Sequence, residues 1–228
     1  KSIRGFVIKL GNMLRHFYEA EDLLVFGSGY SLALASYKAM ECGKTGMEFA
    51  VGIPGSIGGA VYMNAGAYDG EMQNIVNCVK VMDLQGNERV LTAEELNFGY
   101  RKTSLQNSGL IVTEVTLKMP SGNKDEIKSK MDDFSHRRIS KQPLEMPSAG
   151  SMFKRPPGYF AGTLIDQAGL KGYTVGGAQI STKHAGFVVN VGGATAADVL
   201  QLIKDVQTKI KAGVGVELQP EVLVIGEE

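Results

Sequence analysis

The residues of this chain best suited to chemistry are scattered along it. Gly52-Ile53-Pro54-Gly55-Ser56-Ile57-Gly58-Gly59-Ala60 is a glycine-rich run that reads into a short helix. Glycines 55, 58 and 59 let backbone N–H groups approach a ligand without interference from a Cβ, and a helix N-terminus favours a pyrophosphate. The run lacks the Gly-Lys-Ser/Thr of a nucleoside-triphosphate loop, so ATP or GTP chemistry is not supported. Asn64-Ala65-Gly66-Ala67-Tyr68 continues the small-residue surface. On residue types alone, ligand binding and tight packing are equally open for this stretch. Gly27-Ser28-Gly29 also precedes a helical pattern, but Leu32 stands where a dinucleotide fingerprint needs its third glycine. A tight strand-to-helix turn is the better reading there.

Single side chains offer further chemistry. Arg101, in Gly99-Tyr100-Arg101, presents a planar five-donor fork suited to a carboxylate or phosphate, although a solvated loop arginine is the commoner case. Ser151 follows Ser148-Ala149-Gly150; without a Gly-x-Ser-x-Gly elbow, a hydrolase nucleophile is not supported. Glu221 leads the last apolar run after Pro220, where a carboxylate usually caps a strand in solvent. His184 precedes an apolar run, within reach of a ligand, whereas His16 and His136 read as surface residues. Cys42 and Cys78 make neither a disulfide framework nor a zinc spacing, so no metal is expected, and a reducing, intracellular setting is.

These residues need elements that bring distant stretches together. Short strands are expected at residues 6–10 and 23–26, each closed by glycine. Ser31 caps a helix to Cys42 with Leu32, Ala35, Ala39 and Cys42 on one face. Strands at 76–82 and 88–91 flank Gln85-Gly86-Asn87 as a hairpin, and residues 110–117 form another strand. A helix over 125–140 carries Ile127, Met131 and Phe134 on its apolar face. The stretch from Lys141-Gln142-Pro143 to Pro147 breaks it and places a domain boundary near 142–148. Two glycine-rich turns (169–172 and 176–177) and an apolar strand at 186–191 follow. A helix then starts at a Thr195/Asp198 capping box, buries Val199, Leu202, Ile203, Val206 and Ile210, and stops at Gly213. Residues 221–225 close as a strand. Strands and helices without strict alternation predict an α+β fold.

Composition bounds the function. The 24 basic residues balance 24 acidic ones, so no net charge draws the chain to nucleic acid or an anionic membrane. Residues 49–68 carry no charge over a bilayer-spanning length, yet five glycines, Pro54 and Asn64 make them too polar to span one. A buried ligand loop fits better. Glycine supplies 29 of 228 residues, about twice the usual share, which implies many backbone-specific turns.

Taken in order, these motifs resemble the UDP-N-acetylenolpyruvoylglucosamine reductase family, the flavoenzymes that complete UDP-N-acetylmuramate for bacterial peptidoglycan. The resemblance runs over residues 3–226. It rests on the 52–60 loop, Asn64 to Tyr68, Gly99-Tyr100-Arg101, Lys141-Gln142-Pro143, Ala149 to Phe153, Gly176-Gly177, Lys183 to Gly186, and Pro220-Glu221-Val222. It implies an α+β flavin-binding domain of the vanillyl-alcohol-oxidase/PCMH type over residues 1–143, without its N-terminal part. A smaller α+β substrate-binding domain over 144–217 and a C-terminal strand over 218–228, returning to the flavin site, complete the expected layout. Gly52, Ile53, Pro54, Gly55, Ser56, Gly58, Gly59, Ala60, Asn64, Gly66 and Ala67 match the part that lies along the pyrophosphate and ribityl chain of FAD. Ser151 matches the proton donor, and Arg101 and Glu221 the pair that stabilises the intermediate. Tyr100, Lys141, Lys154 and His184 fall on positions lining the substrate site.

The chemistry so implied passes a hydride from NADPH to FAD and then to C3 of the enolpyruvyl group, leaving carbanion character at C2 beside a carboxylate. A guanidinium that cannot lose its proton is a fitting countercharge, and a hydroxyl can protonate so strong a base. The implied partners are a UDP-sugar and NADPH, with no nucleic acid or membrane, in a monomeric cytoplasmic bacterial enzyme. Two departures matter. The family opens with a Gly-rich flavin segment ending in Ser-Asn, upstream of where Lys1 stands, so this chain alone is expected to bind FAD weakly or not at all. Met119-Pro120 leads directly to the helix, without the long tyrosine-bearing loop of one subclass, so the second, loopless subclass is expected. The alternatives are a flavin oxidase on the same fold and an inactive UDP-sugar-binding fragment.

Overall fold

A computed structural model describes residues 3–226, and the domain ends expected at residues 1–2 and 227–228 lie outside them. The chain divides into two compact units, Val7–Arg137 and Arg138–Glu228 with Lys1–Phe6.

The first unit holds β1 (Phe17–Ala20), β2 (Leu23–Gly27), α1 (Leu32–Glu41), α2 (Ile57–Tyr62), β3 (Gly66–Ala67), β4 (Gly70–Glu71), β5 (Val76–Met82), β6 (Glu88–Thr92), β7 (Ile111–Lys118) and most of α3 (Lys124–Lys141). Five strands form one antiparallel sheet in the order β1-β2-β7-β5-β6. Alternation along β7 buries Val112, Val115 and Leu117, and β5 buries Val76, Val79 and Val81 against them. Leu24, Val25 and Phe26 are all buried, since β2 is covered on both faces. α1 starts at the expected Ser31 cap and buries Leu32, Ala35 and Ala39 in the same core. The apolar stripe of α3, Ile127, Met131 and Phe134, packs in a separate cluster with Val51, Met40 and Tyr68. The Tyr68 and Phe134 rings stack at 4.5 Å.

The second unit holds β8 (Ser148–Ser151), α4 (Ala161–Gln167), β9 (Thr174–Val175), β10 (Ala178–Ile180), β11 (Phe187–Asn190) and α5 (Ala196–Val214). Its sheet is antiparallel in the order β8-β11-β10-β9. Leu202, Ile203, Val206 and Ile210 of α5 pack on Met152, Phe153, Ile165, Ile180 and Val188. The Thr195/Asp198 capping box forms as expected. Gly176 and Gly177 press on this helix start. A Cβ at Gly176 would lie 2.5 Å from the Asp198 carboxyl, and one at Gly177 would collide with the Gly192 carbonyl and the Ala194 amide.

Three expected elements differ. Residues 6–10 form no strand: Phe6, Val7 and Ile8 are exposed, and β1 takes the edge beside β2 instead. A strand-like composition without a neighbouring ladder leaves its amides unpaired with any sheet. Residues 221–225 likewise form no strand; only Phe153 and Pro220 make an isolated bridge. α5 runs through Gly213 and stops at Gly215, whose φ of 71° gives the left-handed cap and lets its N–H donate to the Lys211 carbonyl. Mixed α and β elements with antiparallel sheets place the fold in the α+β class, as expected. Among the described residues no helix is long and apolar enough to cross a membrane.

Losing the Thr195 cap should destabilise the second unit by about 1 kcal/mol. Gly177→Ala, which drives a methyl group into backbone, is expected to lower its urea midpoint further than Thr195→Ala does. Urea titrations of both variants followed by circular dichroism check the ranking.

Candidate functional site

In the first unit two glycine-rich turns are joined edge to edge. The Leu32 amide donates to the Gly55 carbonyl at 3.0 Å, and the Ile57 and Gly58 amides donate to Tyr30 and Ser28 carbonyls at 2.9 Å each. Gly58 has no room for a side chain: a Cβ would stand 2.7 Å from Ser28 Cβ. Gly52 and Gly55 adopt φ of 73° and 123°, which glycine reaches without strain. An open cleft of about 490 Å³ lies along the junction, lined by Arg15, Gly29, Tyr30, Ser31, Leu34, Gly55 and Ser56. A Cβ at Gly55 would meet nothing within 4 Å. Arg15 brings a cation and Tyr30 a ring to an edge kept low by glycine, a composition that fits an anionic dinucleotide such as FAD.

The start of α2 is not the open amide nest that the sequence suggests. Its first four amides are taken by Tyr30 O, Ser28 O, the Ser56 hydroxyl (3.3 Å) and Ser56 O. Several positions matched to cofactor contact are also occupied by the fold itself. Ala60 sits in the core, and Gly66 pairs with Glu71 across β3 and β4 so closely that a Cβ would lie 2.7 Å from the Gly70 carbonyl. The Asn64 side chain, 1% exposed, is committed inside the protein. Its amide donates to Glu71 Oε2 at 3.1 Å and to the Gly99 carbonyl at 3.0 Å, while its oxygen accepts from the Gln73 N–H. Gly52, Pro54 and Gly59 remain exposed, and Ile53 and Ala67 are half-buried.

Asn64 leads to Arg101. Gly99 and Lys102 exchange two backbone hydrogen bonds, at 2.9 and 3.1 Å, closing a four-residue turn. Arg101 occupies its third position with φ of 54°, a left-handed conformation that costs an ordinary residue on the order of 1 kcal/mol. Its guanidinium lies 5.3 Å from the centre of the exposed Tyr100 ring.

In the second unit Ser151 ends β8 and is exposed. The Glu221 amide donates to the carbonyl of Met152, next to Ser151, at 2.9 Å, and the Lys154 amide donates to the Gln219 carbonyl at 2.8 Å. Residues 219–221 thus lie alongside 152–154, which brings Glu221 within one ladder step of Ser151. His184 adjoins them. Gly186 is so placed that a Cβ there would meet the His184 ring at 3.1 Å and Ser151 Oγ at 3.6 Å. The Gly186 amide donates to His184 Nδ1 at 3.1 Å, which puts the ring proton of the neutral form on Nε2. Burial pushes the His184 pKa below its ordinary value, with Lys171 and Lys141 acting in the same direction. Lys154 is half-buried and Lys141 exposed at the end of α3, whose carbonyl at Ile139 accepts from Lys183 Nζ at 2.9 Å.

Of the expected site residues, Ser151, Glu221, Lys154 and His184 cluster in the second unit, while Tyr100, Arg101 and the glycine loop belong to the first. Arg15, Tyr30 and Leu34 were not among them. Arg15 precedes β1 in an unremarkable run, and only the joining of two distant turns brings it to the cleft. The Gly27–Gly29 stretch is a tight strand-to-helix turn, as expected, and it sets Tyr30 at the cleft.

Comparison with known proteins follows the same division. The family model described as UDP-N-acetylenolpyruvoylglucosamine reductase, C-terminal domain, matches residues 142–225, and one described as FAD binding domain matches residues 1–92. A UDP-N-acetylenolpyruvoylglucosamine reductase from Clostridium perfringens is 51% identical over 226 residues, covering 99% of this chain and 74% of that protein. The protein of the same name from Caldanaerobacter subterraneus is 47% identical over 228 residues, covering 100% and 75%. A crystal structure of the Thermus caldophilus reductase aligns with a TM-score of 0.76 at 42% identity, over 86% of this chain and 71% of that one.

The depressed His184 pKa makes a signed prediction. The unfolded chain binds the proton first as pH falls below 6.5, so the stability His184 contributes is complete above that value and is lost toward its folded pKa. His16, in the first unit, moves the other way: the Met13 carbonyl and Glu114 raise its pKa. A two-dimensional NMR titration should place the His184 midpoint below 6.5 and that of His16 above it. The drop in stability of the second unit between pH 7.5 and 5.5 should shrink in His184→Gln.

Proposed function

This chain belongs to the UDP-N-acetylenolpyruvoylglucosamine reductase family of FAD-dependent oxidoreductases, and we propose that it reduces the enolpyruvyl group of UDP-N-acetylglucosamine enolpyruvate to give UDP-N-acetylmuramate, with NADPH as hydride source. Residues 1–143 serve flavin binding, 144–217 substrate binding, and 218–228 bring Glu221 to the reaction. Arg15, Tyr30, Ser31, Gly55 and Ser56 would hold the dinucleotide, with the exposed Gly52, Pro54 and Gly59 alongside. When bound, FAD supplies a two-electron carrier between the nicotinamide and the enolpyruvyl carbon.

The protein's own residues handle charge and proton. Negative charge spreads from C2 into the adjacent substrate carboxylate as hydride arrives at C3. The Arg101 guanidinium, held in a fixed turn, meets that charge without reorganising; such preorganised donors are worth on the order of 10²–10³ in rate. Ser151 Oγ then delivers a proton to C2. Glu221 hydrogen-bonds or orients the developing enolate. Tyr100, Lys141, Lys154 and His184 contact the nucleotide sugar; His184, neutral with its proton on Nε2, is a donor.

The observation that supports this reading most is the backbone pairing of Glu221 with Met152, which brings residue 221 within one ladder step of Ser151. In the flavin-loaded protein, Ser151→Ala should leave flavin reduction by NADPH at the wild-type rate and slow reoxidation by the enolpyruvyl sugar on the order of 10²–10⁴-fold. Stopped-flow absorbance at the flavin bands measures both halves. Equal losses in the two, or peroxide formation that needs no enolpyruvyl acceptor, would count against the assignment.

A further inference from the structure

The turn carrying Arg101 is strained at its third residue, and its two backbone hydrogen bonds between Gly99 and Lys102 do not touch that residue. A β-turn with a left-handed third residue normally places glycine or asparagine there, and here an arginine stands in that conformation. A contact to Arg101 itself would offset that cost. Gln106 provides one: its Nε2 donates to the Arg101 carbonyl at 3.0 Å and to the carbonyl of Tyr62, the last residue of α2, at 3.3 Å, and lies 3.5 Å from the Met63 sulfur. Both carbonyls are acceptors only, so the amide nitrogen, with its two protons, must be the atom facing them. Asn64 closes the other side of the turn through the Gly99 carbonyl.

We propose that Gln106 is a positioning residue for Arg101: by bridging the Arg101 carbonyl to the end of α2, it keeps the guanidinium where charge develops on the substrate. This inference rests on the catalytic reading of Arg101. It differs from a capping role, because Thr103 Oγ1 also donates to the Tyr62 carbonyl, at 2.8 Å, without touching Arg101. Thr103→Val therefore removes a comparable bond from the helix end and leaves the turn alone. A guanidinium displaced by about 1 Å loses on the order of 10²-fold in rate.

The experiment compares Gln106→Leu, Thr103→Val, Arg101→Ala and the Gln106→Leu/Arg101→Ala double variant in the flavin-loaded protein. Gln106→Leu should slow reoxidation by the enolpyruvyl sugar on the order of 10-fold or more, with flavin reduction by NADPH unchanged and Thr103→Val within twofold of wild type on both. In the Arg101→Ala background Gln106→Leu should add less than twofold, since it acts through the arginine. Hydrogen exchange of the Lys102 amide, which closes the turn, should accelerate in Gln106→Leu alone. Gln106→Glu, of the same shape but without the donors, repeats the measurement if the leucine variant folds poorly. A wild-type reoxidation rate in Gln106→Leu, an effect that adds in full to Arg101→Ala, or an equal effect of Thr103→Val overturns the inference. Should Arg101→Ala itself reoxidise at the wild-type rate, the catalytic reading of Arg101 fails and takes the inference with it.

Discussion

The first unit depends on the close approach of Gly58 to Ser28. With no Cβ on Gly58, its amide reaches the Ser28 carbonyl at 2.9 Å, and the start of α2 is drawn against the turn that leaves β2. A methyl group there would stand 2.7 Å from Ser28 Cβ and push the two turns apart. The cleft exists because Gly29–Ser31 and Gly55–Ser56 meet along one line. α2 has only six residues, about 9 Å of helix, and its far end receives Thr103 and Gln106 at Tyr62 and is followed at once by Asn64, which holds the Arg101 turn. One short rigid element thus sets both the cleft and the arginine.

The second unit solves a different problem, bringing residues 151, 184 and 221, far apart in the chain, close to one another. It does so with backbone. Two hydrogen bonds between 152–154 and 219–221 fix Glu221 beside Ser151 without a full strand. Beneath them Met152 and Phe153 are buried with Leu202, Val206 and Leu218, so α5 supports this edge from behind. The burial that packs the His184 ring against Phe187 at 5.0 Å also pushes its pKa below the ordinary value.

Local pattern explains which elements were legible. Ile127, Met131 and Phe134 repeat at helical spacing, and Thr195 with Asp198 forms a cap within four residues of chain; both are properties of a short segment, and the structure contains both. Residues 6–10 have strand-like composition but no ladder, because pairing depends on what lies beside a segment. Gly213 and Gly215 are both reasonable stops for α5, and the chain uses the second, where the left-handed turn forms. Arg101 in a left-handed turn had no local sign at all: its conformation is held by Gln106 and Asn64, one of them 37 positions earlier.

By itself the sequence determined the family, the α+β class, the principal helices and their buried faces, and the residue types able to handle a carbanion and a proton. Those follow from ordered motifs and from periodicities of two and 3.6 residues, which the chain carries wherever it folds. Tertiary structure alone decided that Gly58 serves packing while Gly55 faces the cleft, that the amides of α2 are already taken, and that Arg15 and Tyr30 belong beside the glycine loop. Whether a glycine, an amide or an arginine meets protein or ligand depends on the atoms opposite it, and those come from parts of the chain that no local pattern connects.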